Sequence, residues 1–526
     1  MRRTINLLSL LAGLSNARPQ VSAPAGIFHG NSSIAHIDQF VGIPYAKPPV
    51  GDLRFANPEA PVTSSSNVVK ATAYGPGCSQ LDIYAEYNGL SEDCLSLNVI
   101  RPTNISATAS LPVLFWIHGG GNVNGQSIFY NGTAIVQHSI TIDQPVIYVG
   151  INYRLGGFGF LGGPAVLSAG VSNLGLKDQY LALEWAHTNI KSFGGDPTKV
   201  TIFGESAESG APGAPGFEIA LTAAAGASQY DDLLNSTNCT TLSCLITVPY
   251  DIISPILVTF PEGAYLIDND CLNDTLTNLV EKNSFSHIPI IHGTNLNEGA
   301  VFMPDPFNYP NRTALIDTVA GYLNNETSFA TLIVDAYNAT DDTDLGKGYD
   351  ADPTADHGFF VACGLYTDMD MDLGKLTLLK IASENANVWG YDFRQRPALS
   401  AMNLSYEYPG VSTAYTEGVG VFHGAELPYV FGEATNLPDR SPGDDEVAIK
   451  VLNAWISFAY YLNPNNPEKK NTVTWPKYNS TSPFGEVIIF EQQGNLSIRA
   501  APNTFRAVPW DIWGFAEMEI GQHPPY

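Results

Sequence analysis

Basic residues are scarce in this chain of 526 residues, which has 25 lysines and arginines against 52 aspartates and glutamates and a net charge of −27. A surface that binds nucleic acid needs clustered positive charge, so this composition argues against a nucleic-acid partner. An anionic membrane surface would repel the chain for the same reason. Because 44% of the residues are hydrophobic, the chain has the composition of a globular protein, and we interpret the acidity as a property that favours solubility.

Long apolar runs are absent after the N-terminus, so the sequence predicts no transmembrane segment. The short apolar run at residues 5–14 follows Arg2 and Arg3 and precedes small residues at 15–17, which predicts a secretory signal peptide over residues 1–17. Acceptor sequons for N-glycans recur along the chain, among them those at Asn31, Asn104, Asn131, Asn338 and Asn403. We therefore expect a secreted, extracellular glycoprotein.

Cysteine is also rare, with six residues in the chain. In an exported protein these predict disulfides. The pairs closest along the chain are Cys78 with Cys94 and Cys239 with Cys244. Cys271 and Cys363 lie in apolar contexts, which favours buried thiols and leaves their pairing open. No cysteine or histidine cluster has the spacing of a zinc site, and we expect neither a metal nor a cofactor.

Repeats and low-complexity linkers are missing, so we interpret residues 18–526 as one domain. Runs that are apolar on both faces predict buried parallel strands, and they alternate with segments of helical spacing. The predicted strands are 111–117, 145–151, 200–203, 288–293, 388–393 and 486–491, and the predicted helices are 174–193, 272–281 and 445–462. This order indicates an α/β fold with a mostly parallel central sheet and helices on both faces.

The segment Gly204-Glu-Ser-Ala207 directly follows the strand predicted at 200–203. It contains most of the G-x-S-x-G pattern of a nucleophile elbow, in which a strained turn presents a serine hydroxyl above the edge of a sheet. Glycine and serine are common in surface turns, so this pattern alone does not establish a nucleophile.

A serine nucleophile needs a base, an acid that orients the base, and donors for the oxyanion, and in this fold class the chain order is serine, acid, histidine. Glu298 and His423 follow Ser206 in that order, each just after turn-forming residues. The segment 118–121, His-Gly-Gly-Gly, follows a buried strand and can offer open amides. The simpler alternatives are that Glu298 and Glu426 are solvated loop carboxylates and that the histidine of segment 118–121 only shapes the loop.

Eight segments together resemble the type B carboxylesterase family, which also contains the cholinesterases and some fungal lipases. The matching segments are Gly42–Ala46, Glu92–Leu95, His118–Gly121, Leu176–Gln179, Asn189–Pro197, Thr201–Ala207, Asn297–Gly299 and Phe422–Glu426. They occur in the order of the family, from about residue 25 to the end of the chain.

The resemblance implies an α/β-hydrolase fold and a carboxylic ester as the substrate. It further implies that Ser206 is the nucleophile, Glu298 the acid and His423 the base. The oxyanion donors would be the amides of Gly120, Gly121 and Ala207, and the structural ion pairs would be Arg54–Glu92 and Arg154–Asp178.

The chain departs from the family after Ala207, where the family has a glycine, a long helix and a buried strand before a segment similar to Glu-Ser-Gly. Here Glu208-Ser-Gly210 follows at once, so we infer that about 20 to 25 residues are missing, including the elbow helix and the next strand. Either the sequence is incomplete, through a misjoined gene model or a splice form, or the protein lacks the segment and is an inactive binding or adhesion protein. We favour the first hypothesis because the three triad residues are retained.

The loop between Cys78 and Cys94 is short and has no tryptophan. In the family's lipases this loop is a long lid, and in its cholinesterases it carries a tryptophan that contacts a quaternary ammonium. Tyr84 and Tyr87 would be weaker substitutes. Asn122 replaces the phenylalanine that usually follows the triglycine. We therefore expect a general esterase for uncharged, moderately hydrophobic esters, and the sequence leaves the oligomeric state open.

Overall fold

The computed structural model describes residues 18–62, 64–81, 85, 88–106, 108–206, 226–260, 265–302, 311–323, 325–339, 357–398, 400, 420–468, 473–481, 485–492, 497–503 and 506. Its strands are β1 (Gln20–Ala23), β2 (Gly26–His29), β3 (Ile37–Pro44), β4 (Val68–Lys70), β5 (Gly77–Cys78), β6 (Leu90–Ser91), β7 (Ser96–Pro102), β8 (Leu111–Ile117), β9 (Ile147–Ile151), β10 (Gly195–Gly204), β11 (Ile290–Asn295), β12 (Val388–Phe393), β13 (Glu486–Phe490) and β14 (Arg499–Pro502). Its α-helices span Thr133–Thr141, Gly156–Phe160, Pro164–Ala169, Leu174–Asn189, Ala227–Thr237, Leu242–Thr247, Tyr250–Leu257, Leu276–Glu281, Arg312–Tyr322, Thr327–Asn338, His357–Thr367, Leu373–Ala382, Leu427–Val430 and Pro442–Tyr461.

Two sheets carry the larger part of the fold. In the five-stranded sheet, with the order β10-β8-β9-β7-β3, the first three strands are parallel, and β7 is antiparallel to both of its neighbours, β9 and β3. In the four-stranded sheet, with the order β11-β12-β13-β14, the first three strands are again parallel. Strand β9 is buried throughout, as the continuous apolar pattern predicted. The predicted α/β class is therefore confirmed.

A single central sheet was expected, whereas the strands of the two larger sheets are divided between them; β1, β2 and β4 form a smaller third sheet, and β5 pairs with β6. Within the described part of the chain, β10 pairs with β8 alone and β11 pairs with β12 alone. The family strand that we infer to be missing would follow β10 along the chain. Residues 207–225, where the inferred deletion lies, are outside the described residues.

Most of the predicted elements are present with small shifts at their ends. The helix predicted from residue 272 begins at Leu276, because Asp268 Oδ1 accepts the backbone N–H groups of Asp270, Cys271 and Leu272 and holds them in a turn. The last long helix begins at Pro442, three residues earlier than predicted, since Ser441 and Asp444 form a capping box.

Two disulfides are present, Cys78–Cys94 and Cys239–Cys244. Cys363 is a buried thiol, as expected. The expectation of a buried thiol is wrong for Cys271, which is exposed because the Asp268 turn places it at the surface.

The four residues of the expected structural ion pairs lie in contact. Arg154 binds Asp178 through two N–H···O contacts of 2.8 Å, and Asp178 is fully buried. Arg54 Nη2 lies 2.8 Å from Glu92 Oε2. Such bidentate pairs fix the direction of both side chains. None of the described helices is both long and apolar enough to cross a membrane.

Candidate active site

The serine of the elbow emerges next to the glycine-rich segment. Strands β8 and β10 are parallel, with Ile117 opposite Gly204, so segment 118–121 and Ser206 leave the sheet at the same edge. Ser206 has a φ of 60°, a left-handed conformation that is uncommon for a residue with a side chain. This backbone is the strained turn that the sequence pattern predicts.

Glu298 follows the end of β11 in the other sheet and begins a short 3₁₀ helix, Glu298–Phe302. Its Oε1 accepts the backbone N–H of Asn295 at 2.5 Å, and only 5% of the residue is exposed. The alternative of a solvated loop carboxylate is therefore wrong for Glu298. The strand end and this turn leave the second oxygen, Oε2, for another donor.

His423 lies between these two groups. The backbone N–H of Asn297 donates to Val421 O at 2.9 Å and so joins the two turns. His423 Nδ1 lies 2.6 Å from Glu298 Oε2, and His423 Nε2 lies 2.8 Å from Ser206 Oγ. The structure thus brings together three residues that are 217 positions apart at most. In this arrangement an imidazole can accept the hydroxyl proton while a carboxylate holds its tautomer.

Two further carboxylates surround the imidazole. Glu205 Oε1 lies 3.2 Å from His423 Nε2, and Glu205 is buried. Glu426 is also buried, which excludes a solvated loop carboxylate, and it accepts a 2.5 Å hydrogen bond from Asn295 Nδ2. Burial, and then the charge of Glu298, raise the pKa of Glu426 to about 7. Sequence reasoning missed the proximity of Glu205 to the imidazole, because the variable position of an elbow carries no signal for it.

We call residues 118–125 the glycine loop. Gly120 and Gly121 have φ values of 105° and 60°, which favour glycine. Among the described residues, neither amide N–H of this pair has a hydrogen-bond acceptor, so both are candidate donors to a ligand. Asn122 is buried, and its carbonyl accepts the N–H of Gly156 at 2.7 Å. The third expected donor, Ala207, lies outside the described residues, as do Tyr84 and Tyr87.

His118 is fully buried, with its ring stacked on Tyr153 at a centroid distance of 4.6 Å. Burial lowers the pKa of His118 to about 4, so the ring is neutral at physiological pH. The His118 carbonyl accepts a 2.8 Å hydrogen bond from the Tyr153 hydroxyl. These contacts favour the simpler alternative, in which His118 shapes the loop.

We call residues 295–299 the acid turn, and a buried set of charged residues lies beneath it. This charge cluster consists of Asp368, Asp372, Lys375, Asp392 and Arg506. Arg506 donates to Asp368 and to Asp372, each at 2.6 Å, and Lys375 lies 2.8 Å from both Asp372 and Asp392. Burial raises the pKa of Asp368 to about 7. Residues 368–372 form a π-helical turn, a geometry that is rare outside functional or strained positions.

The charge cluster is connected to the acid turn by two links, one through Thr294, which precedes the turn, and one directly from Arg506. Thr294 donates to Asp372 and accepts from Lys375 at 2.7 Å. Arg506 Nη1 donates to Leu296 O at 3.3 Å. A separate contact fixes the other end of the turn, where the N–H of Gly299 donates to Thr367 Oγ1 at 3.0 Å. The backbone is thus held both before and after Glu298, which fixes the position of its side chain.

One group in the described chain has metal-ligand atoms close together, at Asp268, Asp270 and Cys271. Asp268 already accepts backbone and side-chain hydrogen bonds, and Asp270 pairs with Lys177 at 3.1 Å. These neighbours disfavour a bound cation.

A serine on a strained turn after a parallel strand, in a sheet covered by helices, defines an α/β-hydrolase. The model of the carboxylesterase family matches residues 17–212 and 223–504 of the chain. The chain therefore belongs to the carboxylesterase family, and the resemblance drawn from its motifs is confirmed. The match is interrupted close to the inferred deletion, which stays a prediction.

Relatives and solved structures agree with this assignment. The chain is 30% identical to "Secreted lipase 1" of Botryotinia fuckeliana (strain B05.10) over 88% of this chain and 87% of that protein. It is 30% identical to the acetylcholinesterase of Bungarus fasciatus over 85% of this chain and 78% of that protein. Among solved structures, a PNB esterase aligns with a TM-score of 0.72 at 27% identity, over 94% of this chain and 99% of that one. The protein is thus a carboxylic ester hydrolase by family.

Proposed function

We propose that the protein hydrolyses carboxylic esters through an acyl-enzyme, with Ser206 as nucleophile, His423 as base and Glu298 as the acid that orients the base. The observation that carries the proposal is the continuous line of contacts from Glu298 Oε2 through both ring nitrogens of His423 to Ser206 Oγ. The backbone conformation of Ser206 supports the proposal. A φ of 60° costs conformational free energy in a residue with a side chain, and such strain is found mainly at functional sites.

In this mechanism Ser206 Oγ attacks the acyl carbon while His423 Nε2 takes the hydroxyl proton. The negative charge that forms on the carbonyl oxygen is stabilised by the open amides of Gly120 and Gly121 and, as the family implies, by the amide of Ala207. The alcohol leaves with the proton from His423, and a water molecule then hydrolyses the acyl-enzyme by the same steps.

We infer that the substrates are uncharged, moderately hydrophobic esters. The short Cys78–Cys94 loop supports this, because it has no tryptophan for a quaternary ammonium. Turnover of a choline ester should be slower than turnover of its uncharged isostere, the 3,3-dimethylbutyl ester. A faster choline ester would contradict the inference.

We also propose that the protein is secreted, with residues 1–17 as a signal peptide, residues 18–526 as one domain, and N-glycans on its surface. The relatives named as secreted lipases from Botryotinia fuckeliana (strain B05.10) and Gibberella zeae support export, and so do the two disulfides. N-terminal sequencing and glycosidase treatment of the protein from culture medium test this proposal.

A fluorophosphonate probe tests the assignment of the nucleophile. We expect covalent labelling of the wild-type chain and none of Ser206→Ala, together with a loss of ester turnover by several orders of magnitude. Turnover should rise through neutral pH, because the base must be neutral. Labelling that persists in Ser206→Ala, or a flat profile from pH 5 to 8, would contradict the proposed triad.

The second candidate is an inactive binding or adhesion protein, and the deletion that we infer after Ala207 favours it. The mass of the deglycosylated secreted protein distinguishes the two candidates. A mass about 2 to 3 kDa above that of residues 18–526 would indicate an additional helix and strand, whereas a mass that matches residues 18–526, together with no labelling, would support the inactive protein.

A further inference from the structure

A buried glutamine connects the disulfide loop to the glycine loop. Gln80 lies two residues after Cys78 and is 2% exposed. Its Nε2 donates to Gly125 O at 2.8 Å and to Cys78 O at 3.1 Å, while its Oε1 accepts the N–H of Gly125 at 2.9 Å. The side-chain amide therefore bonds to both the N–H and the carbonyl of Gly125. These are the two hydrogen bonds that a residue of a paired strand would make.

Gly125 in turn supports the start of the glycine loop. It has a φ of 104°, and a Cβ at this position would lie 2.6 Å from Gly119 O and closer still to the ring of His118. The backbone of Gly125 is thus packed against the residues that lead into Gly120. A shift of Gly125 toward His118 and Gly119 would displace these residues, because an added Cβ on that side already has no room.

The direction of the Gly121 amide depends on the same turn. The carbonyl of Gly120 accepts the N–H groups of Val123 and Asn124, at 3.1 Å and 2.9 Å. That carbonyl and the N–H of Gly121 belong to one planar trans peptide unit, so fixing the oxygen aims the N–H in the opposite direction. Asn124 is bonded covalently to Gly125, whose position Gln80 fixes.

We propose that Gln80 is a positioning residue for the oxyanion donors of the glycine loop. It fixes Gly125 and thereby the turn that aims the Gly121 amide, and the Cys78–Cys94 disulfide holds the segment from which it acts. The inference rests on the proposed function, because an oxyanion forms only if Ser206 attacks an acyl carbon. Among the described residues, the hydrogen bonds of the Gln80 side chain go to Cys78 and Gly125 and not to the serine or the imidazole.

The test compares Gln80→Met with Gln144→Met in the full chain. Gln144 is a matched control, since it is buried and its side chain bonds to Tyr461 and Asn466 rather than to the glycine loop. Loss of a whole oxyanion donor costs about 100- to 1000-fold in rate. For a misdirected donor we expect kcat of Gln80→Met to fall about 10- to 100-fold, with KM changed less than about threefold. We expect Gln144→Met to keep the wild-type kcat.

A pair of inhibitors separates positioning from a general structural effect. An aryl trifluoromethyl ketone forms a tetrahedral adduct with an oxyanion, whereas the corresponding alcohol binds without one. In Gln80→Met the affinity for the ketone should fall by the same factor as kcat/KM, while the affinity for the alcohol stays unchanged. Equal losses for ketone and alcohol, or a kcat no lower than that of Gln144→Met, would overturn the inference.

If Gln80→Met does not fold, Gln80→Glu provides a second test. The introduced carboxyl can donate to Gly125 O when protonated and cannot when ionised, so the ratio of its kcat to that of the wild type should rise as the pH falls from 8 to 6. A ratio near one at both pH values would overturn the inference. Absence of wild-type turnover and of Ser206 labelling would instead reject the proposed function.

Discussion

The glycine loop and the acid turn serve the same proposed reaction, but the protein supports them by different means. The glycine loop is held by neutral groups, chiefly the amide of Gln80 and the ring of His118. The acid turn rests on the buried charge cluster and on the carboxyl of Glu426. Neutral hydrogen bonds are insensitive to pH, whereas buried charges depend on their partners and on proton binding.

The difference follows from what each region must hold. The glycine loop has to present open amides, and a charged side chain beside it would compete with the oxyanion for them. The acid turn has to hold a carboxylate away from water, and the backbone N–H of Asn295 and the ring of His423 offset the cost of burying that charge. We therefore expect pH in the neutral range to affect the acid turn and not the glycine loop.

Among variants of these two regions, the largest effect on activity should come from Glu298→Gln. The amide keeps the size of the side chain but cannot stabilise the imidazolium or select its tautomer, so kcat should fall about 1000- to 10,000-fold. Stopped-flow turnover of p-nitrophenyl butyrate measures the loss, with folding checked by near-UV circular dichroism. A loss below about tenfold, in a folded variant, would show that another carboxylate such as Glu426 or Glu205 performs this role.

The largest effect on stability should come from Arg506→Met. It leaves Asp368 and Asp372 buried without their shared cation, which costs about 3 to 5 kcal/mol of unfolding free energy. Arg499→Met is the control, since Arg499 pairs with Glu491 at 2.9 Å and its side chain is 37% exposed. Breaking that pair should cost less than about 1 kcal/mol. Urea unfolding measures the free energy of unfolding of each variant. Equal losses in Arg506→Met and Arg499→Met would contradict the expected difference between buried and exposed charges.

A smaller effect should follow Thr367→Val, which removes the hydroxyl that accepts the N–H of Gly299. We expect kcat to fall about 10-fold, below the roughly 100-fold that a 1 Å misplacement of a reacting group can cause. Thr367→Ser keeps the hydroxyl and should retain most of the wild-type kcat. If Thr367→Val keeps the wild-type kcat, or if Thr367→Ser loses as much activity although it retains the hydroxyl, the hydrogen bond to Gly299 does not set kcat.

The smaller of the two effects on stability concerns its pH dependence in Glu426→Gln. The pKa of Glu426 in the folded protein, about 7, lies above the ordinary value of a glutamate, so the folded state binds more protons than the unfolded chain between about pH 4.5 and 7. The stability contributed by this group is complete below about pH 4.5 and is lost as the pH rises through 7. The groups that face it are Glu298, His423 and Tyr391.

When the pH rises from 5 to 8, the free energy of unfolding should therefore fall less in Glu426→Gln than in the wild type. The difference between the two falls should be about 1 to 3 kcal/mol. Urea midpoints at the two pH values measure this difference, and Gln144→Met is a control that changes no titratable group. Parallel losses in wild type and Glu426→Gln would place the pH dependence elsewhere, with Asp368 as the next candidate.

Several elements could be predicted from the residues because their signals are local. Strands β8 and β12 have the predicted bounds, since their apolar runs end at turn-forming residues. Boundaries that depend on side-chain caps were displaced, as at Leu276 and Pro442. The division into two sheets was not predicted, because pairing between strands distant in sequence has no local signature.

The residues alone determined the family, the order of Ser206, Glu298 and His423, the two disulfides and the glycine-rich turn, because each depends on short motifs or close spacing. Only the tertiary structure placed Gln80 on Gly125, 45 positions away, and Arg506 on Leu296, 210 positions away. The conformation of a turn depends on a few adjacent residues. The partner of a buried amide or charge is instead decided by how distant elements pack, since burial requires a partner and packing selects which one is within reach.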